Sequence, residues 1–240
     1  MNPRNFSPQQ MFAEMAKAHT PKCQFTGNDQ KYFQQWKNET LSEVRSTLGK
    51  NPPSCDPNPQ FVAEWMHDGV RKQRWQIDVN PWISAIMDVN FPGDLQAGEK
   101  RPAILACVGH DHQNGRKSKM GNAMPDNAPS APVPPGAYGH HLAKEGFVTF
   151  GIDWLGLGDL CDSHKPNHNS ANQHRDWCNV YYLHSTMLGM TNLSINVSHA
   201  KAAIDFATTL PGIDANALGV MGGSGGGTMS LWISLCEERI

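Results

Sequence analysis

The residues best placed to do chemistry are Gly222-Gly223-Ser224-Gly225-Gly226-Gly227-Thr228. They fit the pattern G-x-S-x-G and follow an apolar run, Ala217-Leu218-Gly219-Val220-Met221, that reads as a strand. Residues 225–238 come next and are apolar nearly all round (Met229, Leu231, Trp232, Ile233, Leu235), as expected of a buried helix. A serine at so tight a strand-to-helix turn sits in strained backbone angles, and glycine on both sides removes the side chains that would clash. Its hydroxyl is then presented for attack on a carbonyl, and the helix beginning beside it offers N–H groups to the developing oxyanion. Ser224 is the expected nucleophile and the Gly225 backbone N–H the first oxyanion donor. Rival fingerprints on the same glycines fail. The dinucleotide pattern G-x-G-x-x-G, started at Gly223, needs glycine where Thr228 stands; the phosphate loop G-x-x-x-x-G-K-[ST], started at Gly222, needs lysine there. A plain glycine-rich connection between strand and helix is the remaining alternative.

The elements that must position this turn are legible in outline. Residues 8–19 and 31–49 read as helices; in the second, Phe33, Trp36, Leu41, Val44 and Leu48 recur at roughly helical spacing. Residues 1–57 form an N-terminal helical extension and 58–240 the main body. From Phe61 the period shortens: 61–67 and 70–79 are strand-like around an Asp68-Gly69 hairpin signal, and 82–91 is a third strand. The run 103–108 is apolar throughout, as in a strand covered on both faces. A loop with five prolines between Pro125 and Pro135 fills 109–136. A helix over 137–145, a strand over 147–152 ending at Asp153, an irregular stretch over 154–185 and a helix over 193–209 complete the body. The fold class is α/β: antiparallel N-terminal strands, then a mostly parallel sheet with helices on both faces. The strands near 103–108, 147–152 and 217–221 are expected to be parallel neighbours.

Composition narrows the function classes. The chain has 240 residues, 39% hydrophobic and 18% charged, with a net charge of -2. That suits one sizeable domain with a small extension, and it argues against a nucleic-acid partner and against disorder. No apolar run reaches membrane-spanning length, so no membrane partner is expected. Residues 1–6 lack the apolar stretch of a secretory leader, which leaves a cytoplasmic chain or a secreted one whose leader lies outside it. Sequons begin at Asn5, Asn38, Asn192 and Asn196. The six cysteines form no CxxC pair; Cys107 in an apolar strand and Cys236 in an apolar helix read as buried thiols. His110-x-His112 with His140 and His141 could supply zinc ligands, but structural or surface histidines are the preferred account, and neither metal nor cofactor is expected.

Four segments together resemble the α/β-hydrolase superfamily, in its dienelactone hydrolase-like and acetyl xylan esterase-like branch. Ile104–Lys117 is similar to that branch's strand ending in Gly-His (Gly109-His110) and the following Asn-Gly-Lys, although Arg116 interrupts the Gly-Lys step. Leu142–Gly158 resembles its helix, strand and D-x-x-G-x-G loop, here Asp153 to Gly158; Ala202–Gly222 resembles the helix and strand before the elbow. Ser224-Gly225-Gly226-Gly227-Thr228 resembles its S-G-G-G-T elbow. The resemblance covers residues 60–240 and implies a carboxylic ester hydrolase acting on a small-molecule or carbohydrate ester. It also implies a second oxyanion N–H from the loop after 103–108, with His110 or Asp111 as donor through the backbone, and a structural role for Asp153.

The superfamily order is nucleophile, acid, histidine. After Ser224 the only acids are Glu237 and Glu238, on the same helix about 20 Å away. The last histidine, His199, lies upstream. Residues 1–240 are therefore expected to lack the general base and its orienting acid, and to be inactive alone. Two alternatives stay open: an oligopeptidase-type serine hydrolase, and a non-enzymatic binding module on a hydrolase scaffold. Trp154, Trp177, Tyr181 and Tyr182 are candidates to stack on sugar rings, with core packing as the competing account.

Overall fold

The computed structural model describes residues 4–111, 114–121, 132–162 and 173–240, and divides into two units, Met1–Thr47 and Leu48–Ile240. The division falls ahead of the expected boundary at 57. Leu48 is buried, Gly49 bridges Met190, and the Pro57 carbonyl accepts from the Asp78 N–H at 2.8 Å, so this stretch is tied into the larger unit.

In the smaller unit, helices α1 (Pro8–Ala18) and α2 (Gln30–Ser46) begin where side chains can serve the unpaired first-turn N–H groups. The Ser7 hydroxyl accepts from the Gln10 N–H at 3.2 Å and the Asp29 carboxylate from the Tyr32 N–H at 2.7 Å. Phe25 packs on Tyr32, Phe33 and Trp36 with ring centroids 5.7, 5.9 and 5.1 Å apart.

The larger unit is built on a six-stranded sheet: β1 (Gln60–His67), β2 (Val70–Asn80), β3 (Ile83–Pro92), β4 (Arg101–Cys107), β5 (Val148–Ile152) and β6 (Ile213–Gly222), in the order β1-β2-β3-β5-β4-β6. Asp68 and Gly69 both take positive φ (45° and 76°), as the hairpin joining β1 to β2 requires. The first three pairings are antiparallel, and β4 lies parallel between β5 and β6. It follows that β2, β4, β5 and β6 run one way and β1 and β3 the other. The expected parallel trio is present with β4 at its centre. Helices α3 (Arg116–Met120), α4 (Tyr138–Lys144), α5 (Gln173–Met187), α6 (Asn192–Ala207) and α7 (Gly225–Cys236) complete the unit. No described helix is long and apolar enough to cross a membrane.

Period-two alternation assigns the two sheet faces. Ile77 and Val79 of β2, Met87, Val89 and Phe91 of β3, and Val148, Phe150 and Ile152 of β5 share a core with Val197, Ala200 and Ile204 of α6 and Met229 and Ile233 of α7. The residues between them point the other way, toward α3 and α4: Thr149 Oγ1 donates to the Gly139 carbonyl at 2.6 Å, and a Cβ on Gly151 would lie 3.2 Å from Met120 Sδ. This second face is buried and polar. Lys72, Arg74, Asp88, Asn90, Arg116 and His140 all lie within it. Lys72 Nζ donates to the Met120 carbonyl at 2.7 Å and to Asn90 Oδ1 at 3.1 Å, while burial pushes its ammonium down to about 7.

Two stretches read as structureless contain helices. Helix α3 occupies part of the 109–136 loop; its single turn, Arg116-Lys117-Ser118-Lys119-Met120, is too short to show a period. Helix α5 occupies the end of the 154–185 stretch, where Trp177, Tyr181 and Ser185 step by four along its inner side.

Candidate active site

Ser224 stands two residues beyond the end of β6 and immediately precedes the first residue of α7, with φ 55° and ψ -123°. Positive φ costs an L-residue roughly 1–3 kcal/mol, and such strain persists only where surrounding structure enforces it. Here the enforcement is close backbone packing. A Cβ on Gly222 would lie 2.4 Å from the Gly226 carbonyl oxygen, and one on Gly226 would lie 2.2 Å from the Cys107 carbonyl oxygen. The elbow is thus pressed against the end of β4, and the Gly226 N–H to Gly223 carbonyl (2.9 Å) and Thr228 N–H to Ser224 carbonyl (3.1 Å) bonds start the helix. Gly225, as the first helical residue, has no partner for its N–H within the helix.

The loop leaving β4 meets this elbow. Gly109 approaches so closely that a Cβ there would lie 3.0 Å from the Gly223 carbonyl oxygen, and the His110 ring lies against Gly225, with Nδ1 2.7 Å from where a Cβ would stand. The structure therefore gathers Ser224, Gly225, Gly109 and His110. Asp111 is adjacent in sequence but turned into its own loop. Its N–H donates to the Gly109 carbonyl at 2.8 Å, and its carboxylate accepts from the N–H and Nδ2 of Asn114, each at 3.2 Å. Burial acts to raise this carboxyl, but hydrogen bonds from Ser118 and Asn114 hold it below the usual range.

A cavity of about 200 Å³ opens beside these groups. Its walls include Gly109 and His110, the loop residues Trp154, Leu155 and Leu157, and Gly225. Trp154 is buried, its Nε1 donating to the Val108 carbonyl at 3.1 Å, and Asn196 Oδ1 accepts from the Leu155 N–H at 3.1 Å. Trp154 is accordingly a fixed wall of the cavity. Trp177 and Tyr181 stack on each other, with centroids 5.3 Å apart, and the Tyr181 hydroxyl donates to Asp162 at 2.6 Å. Tyr182 is 53% exposed. The sequons at Asn192 and Asn196 fall on side chains already committed: Asn192 Nδ2 donates to the Cys178 carbonyl at 2.9 Å, and Asn196 is buried.

Of the histidines invoked as zinc ligands, His110 lies against Gly225, and His140 and His141 face partners of their own. His140 Nε2 lies 3.3 Å from Asp68, His141 Nε2 lies 3.2 Å from the Pro134 carbonyl, and His112 falls outside the described residues. His199 is buried with Nε2 3.0 Å from Asn80 Nδ2, and burial pushes its ring down to about 4.

Sequence reasoning missed the ionic layer under the site. Asp88 accepts from Arg74 Nε at 2.7 Å and Nη2 at 3.1 Å; Arg116 meets Asp88, Asp153 and Asp159; Lys117 Nζ donates to Asp159 at 3.0 Å. Burial pushes the Asp153 carboxyl up, against the pull of Arg116. The signal was available as Lys72 and Arg74 two apart on one strand, and Asp88 and Asn90 two apart on the next.

Comparison with known proteins agrees with this architecture. The model of the Abhydrolase family matches residues 2–233. None of the curated proteins compared matches the chain in sequence. A Bacteroides fragilis structure assigned as an acetyl xylan esterase superposes with a TM-score of 0.76 at 18% identity, over 99% of this chain and 59% of its own. A glucuronoyl esterase from Solibacter usitatus gives 0.55 at 12% identity, over 89% and 58%. Acetyl xylan esterase 1 from Thermoanaerobacterium sp. JW/SL YS485 gives 0.52 at 18%, over 87% and 55%. The chain thus spans a little over half the length of these structures, and at such identities the likeness is one of fold.

Proposed function

The chain belongs to the Abhydrolase family, and from that premise we propose that it carries the nucleophile of a serine carboxylic ester hydrolase. The observation that carries the proposal is Ser224 at φ 55° and ψ -123°, strained at a strand-to-helix turn beside a cavity. In the proposed mechanism Ser224 Oγ attacks the ester carbonyl, and the Gly225 N–H donates to the oxyanion. The second donor is the backbone N–H of His110, since that of Asp111 is committed to the Gly109 carbonyl. The substrate is a small-molecule or carbohydrate ester, the class named for the esterases of similar fold.

Among the described residues, no histidine is assigned as the base of Ser224. His199 and His140 are held by Asn80 and Asp68, and a serine hydroxyl without a base is a weak nucleophile at neutral pH. Ester hydrolysis by the 240 residues alone is proposed to stay near background, with Ser224→Ala changing it little. A longer chain carrying these residues and a complete triad should lose nearly all ester turnover on Ser224→Ala, leaving the residual of roughly 10³–10⁴ over water that an oxyanion hole and binding supply. Both chains would be assayed on acetylated xylan, short p-nitrophenyl esters and peptides. Peptide cleavage without ester cleavage overturns the substrate class. Robust Ser224-dependent turnover by the short chain would make an upstream histidine such as His110 the base.

A further inference from the structure

Arg116 opens α3 and Asp153 directly follows β5, so both stand at the carboxyl end of the parallel strands, where open α/β sheets form their ligand crevices. The Arg116 side chain is wholly buried. Its Nε lies 3.0 Å from Asp88 Oδ2, and its Nη1 bonds both the Asp153 carboxylate and, at 2.7 Å, Asp159 Oδ2. Its backbone N–H donates to Asp153 Oδ1 at 2.6 Å, and Asp153 Oδ2 accepts from the Asp159 N–H at 3.0 Å. Glycines make room for this: a Cβ on Gly115 would lie 2.1 Å from Asp153 Oδ1, and one on Gly158 2.5 Å from it. Arg74 and Arg116 pair with Asp88 and Asp153 in the interior, in the same face as the buried Lys72, while Lys117 and Asp159 pair at the rim.

The segments that Arg116 joins are two walls of the cavity. Trp154, Leu155 and Leu157 lie between Asp153 and Asp159, both held by the one guanidinium. On the other side, the Gly115 N–H donates to the Asp111 carbonyl at 2.8 Å and the Asp111 N–H to the Gly109 carbonyl at 2.8 Å, which links Arg116 back to His110. We infer that Arg116 is a positioning residue that fixes the His110 backbone donor and the Trp154–Leu157 wall against the Ser224 elbow. The inference rests on the proposed role of Ser224 for its catalytic consequence, though not for the geometry. Only a planar fork spans the three carboxylates; an ammonium at this position reaches fewer of them. Donors displaced by about 1 Å cost on the order of 10²-fold in rate.

The test compares Arg116→Lys, which keeps the charge, and Asp159→Asn, which cuts only the rim contacts, with wild type. Amide hydrogen exchange is read on the 240-residue chain. Arg116→Lys should speed exchange about tenfold or more at Asp111, Gly115, Leu157 and Asp159 while the amides of residues 103–107 in β4 stay protected. Asp159→Asn should loosen Leu157 and Asp159 alone. In a longer active chain, Arg116→Lys should lower kcat about 100-fold with KM changed less than about threefold, because the donor acts on the oxyanion and not on ground-state binding. Uniform acceleration of exchange, no acceleration, or loosened loops with unchanged kcat would each overturn the inference. Absence of Ser224-dependent turnover in the wild type would sink the ester-hydrolase proposal instead, and the exchange result would still decide whether Arg116 fixes both walls.

Discussion

A Gly226→Ala chain places a Cβ 2.2 Å from the Cys107 carbonyl oxygen and 3.0 Å from the carbonyl carbons of Cys107 and Val108. Carbon–oxygen contacts settle near 3.3–3.6 Å, so the shortfall is about 1 Å. No atom in the clash belongs to a side chain that could rotate away. Cys107 is also fixed laterally, paired with Gly222 across the β4–β6 ladder, so the end of β4 cannot retreat from α7 without straining that register. Overpacking ordinarily costs 1–3 kcal/mol, and a backbone-only clash belongs at the top of that range, about 3 kcal/mol. For a chain of this size each kcal/mol moves Tm by about 2–4 °C, so Tm should fall by about 6–12 °C. Gly223→Ala is the internal control: its Cβ meets nothing within 4 Å and its φ is not positive, so stability should stay within about 0.5 kcal/mol. Thermal and urea unfolding of the three chains decide the matter. A Gly226→Ala chain as stable as wild type, or a Gly223→Ala chain equally damaged, would refute the account of the elbow as a backbone-to-backbone joint.

Two further outcomes follow from the same coordinates. Ser224→Gly should stabilise the fold by about 1 kcal/mol, because relief of roughly 1–3 kcal/mol of strain at φ 55° outweighs the 0.4–1 kcal/mol of added freedom in the unfolded chain; unchanged or lower stability in urea would show that the serine is unstrained. His199 has its folded-state value depressed to about 4 from 6.5, so its contribution is fully present above pH 6.5 and is lost as pH falls toward 4. That contribution is about 3 kcal/mol, and His199→Gln, which cannot titrate, should flatten the loss between pH 6.5 and 4; an unaltered slope in pH-dependent urea unfolding would count against it.

The elbow was legible because its determinants are local. Glycines at fixed offsets from Ser224, an apolar run before and an apolar helix after are all contained in residues 217–238, and the strained φ follows from that spacing. The parallel trio was legible for a similar reason, since β4 and β5 are apolar runs that call for cover on both faces. Helix α5 was not. Its inner side carries Trp177, Cys178, Tyr181 and Ser185, and the last is buried through hydrogen bonds to the Tyr182 carbonyl and Asn192 Oδ1 rather than through apolarity. A hydrophobic period cannot report a face closed by a hydroxyl. The polar sheet face was hidden by the converse effect. Lys72 and Arg74 lie in the polar run Arg71–Arg74, and Asp88 and Asn90 alternate with Met87, Val89 and Phe91; both patterns suit a solvated face, and these residues are buried because α3 and α4, distant in sequence, cover them.

Arg116 shows how the same residue can look like a defect at one level and a requirement at another. Along the chain it interrupts an Asn-Gly-Lys step and weakens the motif. In the fold it is the cation that pairs with both Asp88 and Asp153, while Lys72, buried in the same face, bonds Asn90 and the Met120 carbonyl; removing Arg116 would take from the buried Asp153 its guanidinium partner. Lysine at 117 then takes the half-exposed Asp159 at the rim, where a flexible point charge suffices. Asp153 closes the logic. It receives the Arg116 N–H, the Arg116 guanidinium and the Asp159 N–H, and that concentration of donors is what lets a carboxylate be buried immediately after an apolar strand. The order Gly115-Arg116-Lys117 therefore matches a buried position followed by a rim position, and the pairing of each cation is set by depth.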